Sequence, residues 1–248
     1  MQKFSLWNLV IVFLMMSIIG CGDKPELVFV KGGCFQMGDT FGSGENDEKP
    51  VHEVCVDDFY LGKYEVTQGQ WKKVMGSNHS YFKDCGDDCP VEWVSWNDIQ
   101  EFISKANSQS GKKYRLPTAA EWEYAASSGG KKEKWAGTSD EKELGDYIWY
   151  IGNSLSKTHP VGQKKPNGLG IYDMSGNVWE WCSDWYSEKN YSDLTRNDPQ
   201  WPSNSYSRVL RGGSWASFAQ DSRVADRGRG LPDSRGDMVG FRVAVSSR

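Results

Sequence analysis

The sequence predicts an α+β fold with few helices and an unusually large share of irregular chain. Helical periodicity is confined to the first half of the 248 residues, and strand-like alternation returns only in the last forty or so. The composition agrees: 12 Trp, 11 Tyr and 27 Gly against 38% hydrophobic residues suit a core of aromatic anchors joined by tight turns, not one of long aliphatic helices.

The elements follow in order. Leu27 to Lys31 reads as a strand, and Asp39 to Pro50 as an irregular, charged stretch. Glu53 to Val66 is strand-like again, with a bend near Asp57-Asp58. Thr67 can cap a short helix carrying Trp71 and Val74, which Gly76 stops. A second helix starts at about Asn97, places Ile99, Phe102, Ile103 and Ala106 on one face, and closes at Gly111. Thr118 and Glu121 stand three apart as a capping box, followed by a buried stripe of Trp122, Ala125 and Ala126. From Gly129 to Ser187 the chain is glycine-rich and irregular. At the end Val239, Phe241, Val243 and Val245 alternate with Gly240, Arg242, Ala244 and Ser246, as in a strand with one covered face. Long ordered loops need side-chain anchors, for which tryptophans and a bound ion are the candidates.

The net charge is −4 with Lys and Arg scattered among acids, which excludes a nucleic-acid footprint. The N-terminus is a separate object: Lys3 gives a basic start, Leu6 to Ile19 is apolar, and Ile18-Ile19-Gly20-Cys21 follows. This resembles a bacterial lipobox. The resemblance implies a lipoprotein signal peptide over 1–20, lipidation at Cys21, a tether over 21–26 and one domain over 27–248. An ordinary signal peptide or an uncleaved anchor are the alternatives, but a cysteine directly after Gly20 has no role in a plain leader.

In an exported protein the remaining cysteines read first as disulfides. Cys85 and Cys89 flank a turn-rich loop, and Cys34 and Cys55 sit on or beside neighbouring strands, so bridges within each pair are expected. Cys182 is left over and reads as a small buried hydrophobe. Zinc is the weaker reading, because His52, His79 and His159 lack paired ligand spacing.

Seven blocks then carry a family resemblance: Gly32 to Gly38, Tyr64 to Thr67, Pro90 to Trp96, Arg115 to Tyr124, Gly176 to Trp181, Arg211 to Trp215 and Gly240 to Arg242. Together they resemble the sulfatase-modifying-factor, or formylglycine-generating-enzyme, family, which implies a C-type-lectin-like fold with a twisted, mostly antiparallel sheet. The resemblance also implies a structural calcium site at Asp173, Gly176, Val178 and Glu180. Two carboxylates and two main-chain carbonyls around a glycine turn suit that ion. A second calcium site of the family is not recognisable, since Tyr147 to Val161 is short and holds no acidic side chain.

The family's oxidases bind copper through two cysteines after Gly-Gly-Ser. Here Ser217 falls where the first would be, and no cysteine follows Cys182. A hydroxyl cannot replace a soft thiolate toward monovalent copper, so no copper is expected. The iron-dependent sulfoxide synthases need histidine ligands that three dispersed histidines do not supply. A triad of Ser217, His159 and Asp184 can be written on paper, but no motif supports it.

Residues 208–248 also resemble the variable region of proteins diversified by retroelements. On that scheme Trp215, Arg223, Arg227, Pro232, Arg235 and Gly240 are framework. The diversified, ligand-contacting positions are Ala216, Ser217, Phe218, Asp221, Asp226, Gly228, Gly230, Leu231, Ser234, Gly236 and Asp237, each of which a codon ending in a pyrimidine can encode. Arg223, Arg227, Arg229, Arg235 and Arg242 recur through Gly, Ser and Asp, which predicts exposed loops tied down by guanidinium groups. The function expected is a lipid-anchored envelope protein, displayed on the outer surface, that binds a protein or glycan ligand through this segment. A formylglycine-generating oxidase and a structural envelope lipoprotein are the alternatives.

Overall fold

A computed structural model of the chain describes residues 22, 24–188 and 205–247, so Cys21 and the leader lie outside the described residues. The architecture is α+β. One four-stranded antiparallel sheet has the order β1 (Leu27–Val30), β4 (Phe59–Gly62), β10 (Ala244–Ser246), β5 (Tyr114–Arg115). A hairpin joins β2 (Gly33–Met37) to β3 (His52–Val56). A second four-stranded sheet has the order β8 (Gly228–Gly230), β7 (Arg208–Arg211), β6 (Trp179–Trp185), β9 (Val239–Gly240), with only β6 and β9 parallel.

The helices start and stop where local chemistry dictates. Thr67 and Gln70 form a capping box at α1 (Gln68–Met75), which ends at Gly76 with φ +81°. Ser95 and Asp98 do the same for α2 (Trp96–Ser110), which ends at Gly111 with φ +68°. Thr118 and Glu121 cap α3 (Ala119–Ala126). Each side-chain cap satisfies a main-chain N–H that has no partner within the helix. α3 is buried on every face rather than along one stripe, so it is the central post of the domain. A single helical turn, α4 (Leu144–Tyr147), was not visible in the sequence.

Two adjoining cores share the aromatic load. One surrounds α3 and includes Phe35, Met37, Val54, Phe59, Trp122 and Ile171. The other lies between α1, α2 and the final strands, where Trp71 stacks on Phe102 at 5.2 Å and Phe241 meets both rings edge-on. Cys34 and Cys55 face each other in the β2–β3 register and are bridged, as are Cys85 and Cys89. Cys182 is buried and unbridged, and burial pushes its thiol well above the ordinary range.

Two expectations are corrected. The stretch from Gly129 to Ser187 is not irregular throughout, because β6, the longest strand, lies in it. Residues 239–246 are not one strand with one covered face. They split into β9 and β10, and Gly240 to Ala244 are all buried because this segment passes from one sheet to the other through the core.

Candidate functional site

The C-terminal segment is tied to the scaffold by guanidinium groups, most of them deeper than expected. Arg223 meets Glu48 in a bidentate pair, both contacts at 2.7 Å, and both side chains are buried. Glu48 belongs to a loop organised by Asp39, whose carboxylate accepts the main-chain N–H groups of Phe41, Gly42, Ser43 and Gly44. Arg211 pairs with the buried Glu123 of α3 and donates to Ala225 O at 2.8 Å. Arg235 holds Asp98 at the start of α2 through two 2.7 Å contacts. Arg229 pairs with Glu188, and among the described arginines of the segment it and Arg235 are the substantially exposed ones. The prediction of exposed guanidinium clamps is therefore corrected for Arg223, Arg227 and Arg242, which are buried. Burying an arginine demands a matched acceptor set, and here non-local carboxylates and carbonyls provide it.

The eleven predicted contact positions separate by burial. Phe218 is 65% exposed, Leu231 52%, and Ser234 is also exposed. Ala216, Asp221, Gly236 and Asp237 are half-buried along the same segment. Of the remaining four, Asp226, Gly228 and Gly230 are half-buried as well, and all four pack against neighbouring groups. Ser217 is buried, and its Oγ accepts the Ser214 N–H at 3.0 Å. The Asp226 side chain is 13% exposed beside Arg223, and burial together with Glu48 pushes its carboxyl up to about 8. Gly228 and Gly230 lie in β8 against Trp179, Leu210 and Trp181; a Cβ on Gly230 would stand 2.5 Å from the Trp181 ring. These four make contacts within the scaffold.

The residue expected at the position of the family's first thiol is a buried serine, Ser217. With its Oγ engaged by Ser214, Ser217 is part of a turn. The paper triad does not assemble through hydrogen bonds. The His159 ring stacks on Trp149 at 3.7 Å and its Nε2 meets Ser154 O, while Asp184 accepts the Ala119 N–H at the start of α3.

Of the four residues expected to hold calcium, Asp173 and Glu180 are both buried near a further carboxylate, Glu65, but among the described residues no group of three or more His, Cys, Asp or Glu is arranged to hold a metal ion. Both oxygens of Glu180 are engaged: Arg242 donates through Nε at 2.7 Å and Nη2 at 2.6 Å, and the Trp122 indole donates at 2.8 Å. Glu65 accepts from Asn177 Nδ2 and the Val178 N–H. Asp173, at φ +57°, accepts the Gly162 N–H through one oxygen; its Oδ1 is buried with no hydrogen-bond partner. Three buried carboxylates thus share one buried guanidinium. Burial raises Asp173 to about 6, and burial with the charges of Asp173 and Glu180 drives Glu65 well above the carboxylate range. An unpartnered oxygen in an excess of negative charge fits a cation in sign, although Glu180 is turned toward Arg242. The signal for Glu65 was present in the sequence, as an acid set between apolar residues in Tyr64-Glu65-Val66.

Comparison with known proteins bears on the family and the fold. The sulfatase-modifying factor enzyme 1-like domain matches residues 20–247. A "Chaperone protein LppX" of Paenibacillus barcinonensis is 36% identical, with 99% of this chain and all of that protein covered. The formylglycine-generating enzyme of Streptomyces coelicolor is 32% identical over 88% of each chain. Among solved structures, Treponema denticola variable protein 1 superposes with a TM-score of 0.80 at 33% identity, covering 89% of this chain and 94% of that one.

Proposed function

The chain belongs to the sulfatase-modifying factor enzyme 1-like family, and from that premise we propose that it is a non-enzymatic member that binds ligands through its C-terminal surface. The observation that carries the reading is the display of Phe218 and Leu231 on loops whose roots are pinned by buried arginine pairs. Apolar side chains held out on a rigid base cost solvation free energy unless a partner covers them. The likeness to a variable protein supports the same reading. The fate of the thiol position supports the loss of oxidase chemistry, since Ser217 is committed to Ser214 and no cysteine follows Cys182.

Two further parts complete the proposal. Cys21 carries the lipid that holds the protein at the envelope; among the described residues no helix is long and apolar enough to cross a membrane. Calcium, where bound, neutralises the carboxylate cluster through Asp173 and the main-chain carbonyls of Gly176 and Val178, with Glu180 joining only by releasing Arg242. The ligand is a protein or a glycan.

Sequencing the adjacent DNA tests diversification directly. A near-copy of the segment for 208–248, with asparagine codons at the exposed positions and a reverse transcriptase beside it, is the expected result. Conversion of a cysteine peptide to formylglycine by the purified, copper-treated protein would overturn the non-enzymatic reading.

A further inference from the structure

A second surface, bordering the C-terminal segment at Arg235 and Gly236 but away from Phe218, is built around Trp93. Its indole is 42% exposed although the residue sits at φ +63°, a left-handed backbone conformation that bulky side chains rarely adopt. Such a conformation persists only where neighbours impose it. Here the Trp93 N–H is fixed to Gly236 O at 2.9 Å, and the preceding residue, Glu92, is fully buried. The Glu92 carboxylate accepts the N–H groups of Tyr81 and Phe82 at 2.8 and 2.9 Å. That contact sets the 65%-exposed Tyr81 ring beside the Trp93 ring, with centroids 6.3 Å apart and planes within 27°. The chain thus holds two large aromatic faces outward where burial would be the default.

Trp93 forms one wall of a groove of about 580 Å³ between the end of α1 and the start of α2, within the usual range for small-ligand sites of roughly 300–1,000 Å³. The other walls carry His79, Asp98, Glu101, Lys105 and Arg235. Their charges are already matched: Arg235 pairs with Asp98, and Lys105 with Glu101 at 2.7 Å. The groove therefore offers many hydrogen-bond donors and acceptors with little net field to select an anion or a cation. A flat aromatic face opposite charge-balanced polar groups is complementary to a molecule with one C–H face and a rim of hydroxyls.

We propose that this groove binds a neutral saccharide, with a pyranose ring lying on Trp93, its exposed aromatic wall. The ring's C–H bonds, whose hydrogens carry partial positive charge, meet the electron-rich indole face, and its hydroxyls exchange water for Asp98, Glu101, His79 and Arg235. This inference does not rest on diversification of the C-terminal segment.

The test is calorimetry on the purified protein with neutral tetrasaccharides, namely cellotetraose, chitotetraose, maltotetraose and xylotetraose, and with a sulfated oligosaccharide. At least one neutral tetrasaccharide is expected to bind with an affinity that changes little with salt. Trp93→Gly relieves the backbone strain while removing the platform. It should weaken that binding at least about tenfold, the effect of losing roughly 1.4 kcal/mol, without lowering Tm. Trp93→Phe should retain part of the binding, and Phe218→Ala should leave it unchanged. Failure of all four sugars to bind, equal affinity in Trp93→Gly, or a preference for the sulfated probe that salt abolishes would each overturn the proposal. Loss of binding in Phe218→Ala would do the same, because it would move the ligand to the other surface.

Discussion

Replacing Asp226 by Asn offers a direct measure of how the C-terminal segment is held. Asp226 lies beside Arg223 but shares that guanidinium with Glu48, which takes both of its donor contacts at 2.7 Å against 3.3 Å for Asp226. Burial and the Glu48 charge raise its carboxyl from 3.8 to about 8. The folded state then holds a proton that the unfolded chain releases above its ordinary pKa. A raised folded pKa contributes stability that is fully present below about pH 4 and is lost as pH rises through 8. Each pH unit in that window costs about 1.4 kcal/mol, so the loss between pH 4 and 7 reaches at most about 4 kcal/mol. Asparagine keeps the shape and cannot ionise. Urea unfolding of both proteins at pH 5, 6, 7 and 8 should show Asp226→Asn gaining on the parent as pH rises. A stability difference that stays constant across those four values would refute the assignment of Asp226 as a buried, proton-holding support and return it to the ligand-contacting set.

Two other outcomes follow from the same structure. Gly230→Ala places a methyl 2.5 Å from the Trp181 ring, and overpacking of that kind should cost roughly 1–3 kcal/mol in chemical unfolding, whereas Ser234→Ala on the exposed loop should change little. Calcium should raise Tm over chelator-treated protein, by the equivalent of about 2.7 kcal/mol at a hundredfold excess over Kd; Asp173→Asn should abolish the rise, and the effect should fade as pH drops below the Asp173 value of about 6, where protons compete for the ligand. An equal calcium response in Asp173→Asn would remove that residue from the ion's ligand set.

What the sequence revealed and what it hid divide along the range of the interactions. The caps at Thr67 and Thr118 and the stops at Gly76 and Gly111 were legible because each is settled within four residues. The Cys34–Cys55 bridge was legible because its strands neighbour each other in sequence. β6 was not. In Trp179-Glu180-Trp181-Cys182-Ser183-Asp184-Trp185 three consecutive residues, Glu180, Trp181 and Cys182, are buried, so alternation is lost in a strand covered on both faces. Its two acids look like solvent-facing residues until their partners are known, and those partners are Arg242 and the first N–H of α3. The same non-local pairing hid the burial of Arg223 behind Glu48 and gave Ser217, Asp226, Gly228 and Gly230 the look of surface positions. No spacing rule within the segment could have told Gly230, pressed against Trp181, from Gly236.

β10 enters its sheet between β4 and β5. Both of those strands come far earlier in the chain, so each has an open edge until residues 244–246 arrive. Unpaired edges invite pairing with other chains, and late-closing contacts make folding slow. During synthesis the N-terminal half must therefore wait, exposed, for its last partner. Any substitution in the segment that precedes β10 must first leave that strand able to reach its place between β4 and β5.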